Sequence, residues 1–115
     1  MQNNSKDLIR LKHILDSIVE IENYIENKNF ADFQENSMLS NASIRLLEII
    51  GEASNHLSLE IKTEFDSVEW KQIIGLRNIL IHEYFAVDFA LIWEVIIYDL
   101  PNFKNTIIKI LNTLE

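Results

Sequence analysis

The chain has 115 residues, 48% of them hydrophobic, with two glycines and one proline; this suits one domain of long helices and argues against many strands and turns. It has no cysteine, so disulfides, thiolate metal sites and a cysteine nucleophile are excluded. A formal net charge of -8 counts against a general nucleic-acid binder, so any RNA binding would need a local positive cleft or a partner.

Met1 to Asp7 is polar and leads into no uninterrupted apolar run, unlike a signal peptide. The longest apolar stretches are too short to span a bilayer. The expectation is a soluble, cytoplasmic protein with a single domain over residues 1–115 and no membrane partner.

The first predicted helix runs from Ser5 to about Asn27, with Leu8, Leu11, Ile14, Leu15, Ile18, Ile21 and Ile25 on one apolar stripe. Asn27-Lys28-Asn29 reads as a connection. Asp32 or Asn36 is the expected cap of a second helix, whose stripe takes in Met38, Leu39, Ala42, Leu46, Ile49, Ile50 and Ala53. Gly51 lies inside that stripe, where glycine costs about 1 kcal/mol relative to alanine, which points to close helix packing there. Ser58 to Phe65 is expected to be a short helical turn, and Asp66 or Ser67 the cap of a third long helix from about Val68 to Tyr84. Asp88 should cap a fourth, carrying Leu91, Ile92, Val95 and Ile96 inward and ending near Asp99. Pro101 fits the first turn of a last helix from Asn102 to Leu114, where its missing N–H is harmless. The fold class is all-α, an antiparallel up-and-down bundle of four to five helices.

The chemistry is concentrated in Arg77-Asn78-Ile79-Leu80-Ile81-His82-Glu83-Tyr84, and no acid occurs between Trp70 and His82. Arginine grips a phosphate with a rigid fork of donors, and histidine moves protons near neutral pH. With Arg77 set at zero on a wheel of about 100° per residue, Ile81, Asn78 and His82 fall near 40°, 100° and 140°. Trp70 and Ile74 share that side, while Ile73, Leu76, Ile79 and Leu80 take the other. A helix with two apolar faces is covered on both, and in so small a bundle the second cover is expected to be another subunit. A homodimer follows, with Arg77, Asn78 and His82 near its two-fold axis.

Several anchors in order carry a family resemblance: Ile50-Gly51-Glu52-Ala53, then Trp70, Gly75-Leu76-Arg77-Asn78 and His82-Glu83-Tyr84-Phe85, then Val87-Asp88, Trp93-Glu94 and Asp99-Leu100-Pro101. With these the chain resembles the HepT-like members of the HEPN superfamily over nearly its whole length. Glu69 departs from the pattern, since members commonly have proline before the tryptophan, which bears on the helix start. The resemblance implies a helical-bundle ribonuclease toxin paired with a minimal nucleotidyltransferase antitoxin. It assigns Arg77 and His82 to the R-x4-6-H catalytic signature, two copies of which meet across the homodimer. It makes Tyr84 the tyrosine that the partner modifies with AMP. Asn78 and Glu52 are supporting candidates: Asn78 to orient His82 or touch the phosphate, and Glu52 either as a helix-face charge or as a partner of the Arg-His site. The substrate is RNA, which carries its own 2′-hydroxyl nucleophile, and no metal or cofactor is called for.

Plainer readings exist for each residue. His82 can simply meet the last carbonyls of its helix, and Arg77 can form a structural ion pair with Glu52 or Glu83. His13 and His56 stand alone and read as surface or helix-end residues. Trp70 and Trp93 read as core or interface aromatics. Tyr84 reads equally as a packing residue with its hydroxyl at the surface; two turns past Arg77, it returns to the Arg77 face, where a modification would obstruct the site. The competing function is a non-catalytic helical module of the same fold that recruits a nucleotidyltransferase or binds nucleotides; the acidic charge favours it, and the complete Arg77-Asn78…His82-x-Tyr84 set favours the ribonuclease.

Overall fold

The computed structural model describes residues 4–115, and every described element is helical. Helix α1 spans Asn4–Ile25 and buries Leu11, Ile14, Ile18 and Ile21 completely, the stripe expected from their spacing. It ends where Asn27 enters the left-handed region at φ 61°, a conformation asparagine tolerates better than most residues. Of the two starts expected for the second helix the structure takes Asn36, and a separate short helix precedes it. Asn29 caps a short α2, Phe30–Glu35, in a reciprocal box: its side chain accepts from the Asp32 N–H, and the Asp32 carboxylate accepts from the Asn29 N–H. Asn36 then caps α3, Ser37–Asn55. Asp32 therefore completes a box rather than capping a helix itself, and Met38, expected on the inner stripe, is exposed in the first turn of α3. Aromatic packing holds the short α2 in place, because Phe33 is fully buried against Phe89 and Trp93 at centroid distances of 5.9 and 5.3 Å.

Ser58 caps α4, Leu59–Glu64, by accepting from the Ile61 N–H. Helix α5 spans Trp70–His82, two residues shorter at each end than expected, and neither Asp66 nor Ser67 caps it. Its start is decided by packing: Trp70 is buried, its indole N–H donates to the Phe65 carbonyl at 3.1 Å, and its ring meets Phe103 edge-on at 6.0 Å. Tyr84–Ala86 forms a 3-10 turn, and Asp88 caps α6, Phe89–Glu94, by accepting from the Ala90 and Leu91 N–H groups.

No break separates α6 from α7, Leu100–Leu114; a π-helical turn over Val95–Asp99 joins them. In that turn the Leu100 N–H reaches back to the Val95 carbonyl. Pro101 offers no N–H and would crowd the carbonyl four residues earlier in a regular helix. One wide turn lets the helix pass it.

The pairing is antiparallel. Asp7 and Arg10 of α1 reach Ser58 and His56 beyond the end of α3, while Glu22 and Lys12 pair with Lys104 and Glu115 at opposite ends of α7. Helix α5 packs on α3, and the Trp70–Phe103 contact links it to α7. The architecture is an all-α bundle, and no described helix is long and apolar enough to cross a membrane.

Candidate active site

Helices α3 and α5 touch at Gly51. A Cβ there would overlap the Cβ of Arg77 and stand 3.2 Å from the Ile73 carbonyl, so only glycine lets α5 come this close. The close packing expected at Gly51 is present, and its effect is to press Arg77 against α3. Arg77 Nη2 meets Glu52 Oε1 at 2.9 Å, and Nη1 donates to Asn78 Oδ1 at 2.9 Å. The Arg77 Nε is buried and has no partner among the described residues. Two of the candidate supporting residues thus hold the guanidinium in one orientation. Between its two expected ion-pair partners, Arg77 takes Glu52.

The network extends to a residue that the sequence reading left standing alone. His56 Nε2 lies 3.4 Å from Glu52 Oε2, so Asn78, Arg77, Glu52 and His56 form one continuous chain of contacts. His56 does sit at a helix end, as expected, but it does not stand alone. Its signal in the sequence is the i, i+4 spacing from Glu52 on α3. The end of α3 gathers further charge: Arg10 donates to the His56 carbonyl and Lys62 to the Asn55 carbonyl, each at 2.9 Å. Burial pulls the Lys62 pKa below the ordinary lysine value, and the Asp7 carboxylate opposes that shift.

His82 is the last residue of α5 and Asn78 lies one turn earlier; both are exposed, while Arg77 keeps a quarter of its side chain accessible. Arg77 and His82 therefore do not share a face: one leans into the α3 contact and the other points outward. The face assignment changes elsewhere too. Trp70, on the polar side of the wheel but read as a core or interface aromatic, is core, and Ile79, expected on the opposite side from the polar trio, is 48% exposed. Tyr84 lies beyond the helix end, because Glu83 leaves helical geometry at φ -126°, so the wheel does not apply to it. The residue is 75% exposed, and its ring meets the exposed Phe85 edge-on at 5.9 Å.

Residues 14–110 match the family model described as "Ribonuclease HepT-like". The chain belongs to the HepT-like family. Among similar proteins, a "Probable ribonuclease HepT" of Thermococcus cleftensis is 34% identical over 110 residues, covering 96% of this chain and 98% of its own length. A "Putative RNase" of Methanocaldococcus jannaschii is 39% identical over 97 residues, covering 84% and 89%. A longer protein of the same organism, named "Gamma-glutamylcyclotransferase and putative RNase", is 43% identical over 107 residues; they make up 93% of this HepT-like chain but only 48% of that protein. The HepT-like chain thus spans about half the length of that relative and most of the other two. No solved structure matches it.

Proposed function

We propose that this HepT-like protein is a metal-independent endoribonuclease toxin, with Arg77 and His82 as its catalytic pair. The observation that carries the reading is the Arg77 clamp: Glu52 and Asn78 each hold one end of a guanidinium that is still partly open to solvent. Family membership and the ribonuclease names of its relatives support it. In the reaction, His82 takes the proton of the RNA 2′-hydroxyl or gives one to the departing 5′-oxygen. Arg77 neutralises the charge that builds on the phosphorane. The 2′-oxygen bonds to phosphorus as the bond to the 5′-oxygen breaks, leaving a 2′,3′-cyclic phosphate.

The site is proposed to be composite, completed by a second copy in a homodimer. Five residues along an α-helix turn about 140°, so Arg77 and His82 of one chain diverge and do not meet on one phosphate. Exposed Ile79, Phe85 and Leu91, on α5, the following turn and α6, offer apolar surface for that partner. A minimal nucleotidyltransferase antitoxin is proposed to silence the toxin by placing AMP on exposed Tyr84, two residues beyond His82.

One observation favours the alternative, a non-catalytic module that recruits a nucleotidyltransferase or binds nucleotides: the Arg77 charge is already matched by Glu52. Arg77→Ala and His82→Ala decide between the two. Under the ribonuclease reading both abolish RNA cleavage in EDTA-containing buffer, keep helical circular dichroism near wild type, and the wild-type products end in a 2′,3′-cyclic phosphate. Cleavage that survives both substitutions but vanishes with EDTA refutes the metal-free mechanism, and no cleavage by wild type leaves the binding module.

A further inference from the structure

Glu52 faces two cationic partners at once. Its Oε1 holds Arg77 at 2.9 Å, and its Oε2 lies 3.4 Å from His56 Nε2, one turn further along α3. The proposed function leaves His56 without a role. Resting on that ribonuclease reading, we propose that His56 is a further positioning residue of the site: acting through Glu52, it sets how much of the Arg77 charge is open to an RNA phosphate.

The argument is electrostatic. A phosphate approaching Arg77 competes with the carboxylate already there. While the imidazole is neutral, the full charge of Glu52 serves Arg77. Once the imidazole is protonated, Glu52 is shared between two cations, its hold on Arg77 weakens, and the guanidinium can turn to an incoming anion. Other charged groups stand at the same end of α3, and those bonded to carbonyls keep their charge. From α1, Arg10 is engaged with the His56 carbonyl, and from α4, Lys62 with the Asn55 carbonyl. On α3, Glu48 is held by Arg45 at 3.1 Å, and from α5, Asn78 keeps the other arm of Arg77.

The buried Arg77 Nε–H is a natural reporter, because its amide-like NMR signal is shielded from solvent. The experiment follows that signal from about pH 8 to about pH 5.5, the range over which histidines change charge. All chains carry His82→Ala, so the second imidazole of the site does not contribute. In the His82→Ala chain the Arg77 signal should move with the midpoint of the His56 ring signals, and with His56→Gln added that movement should vanish. In parallel, a 2′-O-methyl oligonucleotide, which cannot be cleaved, should bind about two- to fivefold more tightly at the lower pH, the range set by a partly exposed ion pair. His56→Gln should remove that gain. His56→Lys should bind at pH 8 as the histidine chain does at pH 5.5, and Glu52→Gln should bind tightly at both. An Arg77 signal indifferent to His56 protonation, or a binding gain unchanged by His56→Gln, overturns the proposal. If the Arg77 signal follows His56 but the oligonucleotide does not bind, the coupling stands and the RNA reading of the site falls.

Discussion

Gly51 of α3 and Arg77 of α5 share a space that admits no further carbon: a Cβ on Gly51 would overlap the Arg77 Cβ and stand 3.0 Å from its Cγ. The atoms in the way belong to the base of the side chain, which moves only if α5 moves. The same contact that packs two helices therefore fixes where the guanidinium begins, and Glu52, the next residue, fixes where it ends.

Gly51→Ala should separate the helices and displace Arg77 from Glu52. Overpacking of this kind costs about 1–3 kcal/mol, offset by about 1 kcal/mol from the better helix propensity of alanine, so a net loss of up to about 2 kcal/mol is expected. Gly75 is the internal control, since a Cβ there meets nothing within 4 Å. Gly75→Ala should raise stability by about 0.5–1 kcal/mol. Urea unfolding of the two variants side by side checks the contrast, and equal effects would contradict the close approach.

Asp7 is 2% exposed, and its carboxylate accepts from the Ser58 N–H at 2.9 Å and the Ser58 hydroxyl at 2.6 Å. It ties the start of α1 to the cap of α4. Asp7→Ala leaves those donors without their acceptor and should cost about 1–3 kcal/mol by chemical denaturation. Unchanged stability would mean that the tie is not kept in solution.

The composite site makes a prediction that no single variant can test. Light scattering at micromolar concentration should give twice the 13.5 kDa chain mass. Arg77→Ala and His82→Ala chains, each inactive alone, should recover activity when unfolded together and refolded. Half of the dimers then pair one chain of each kind and rebuild one intact site of two, about a quarter of wild-type activity. No recovery, with mixed dimers present, would put both residues of a site on one chain. Ile79→Glu places a charge on the exposed apolar surface and should lower both mass and activity.

Tyr84 carries the last prediction. AMP on its hydroxyl would add a bulky anion two residues beyond His82, where its size and charge would oppose an approaching RNA backbone. Incubation with a cognate nucleotidyltransferase, ATP and magnesium should raise the intact mass of wild type by one AMP and abolish cleavage. Tyr84→Phe should keep its fold and gain no mass. An equal gain on Tyr84→Phe would move the modification elsewhere.

What the sequence determined by itself is local in its physics. The stripe from Leu11 to Ile21, the caps at Asn36 and Asp88, and the helical placement of Arg77 and His82 all depend on residues within a turn or two of one another. Periodicity and side-chain chemistry express such relations directly. Only the tertiary structure decided the rest. Phe33 makes a stable short helix of α2 because Phe89 and Trp93, more than fifty residues away, give it a place to bury. Trp70 becomes core because Phe103 meets it, and no wheel drawn on α5 alone contains that partner. The site divides in the same way. Arg77, Asn78, His82 and Tyr84 were legible as one motif, but the pairing of Arg77 with Glu52, and through it with His56, exists because α3 and α5 cross at a glycine. Which charges meet depends on how helices pack, and packing is settled by the shapes of both surfaces together.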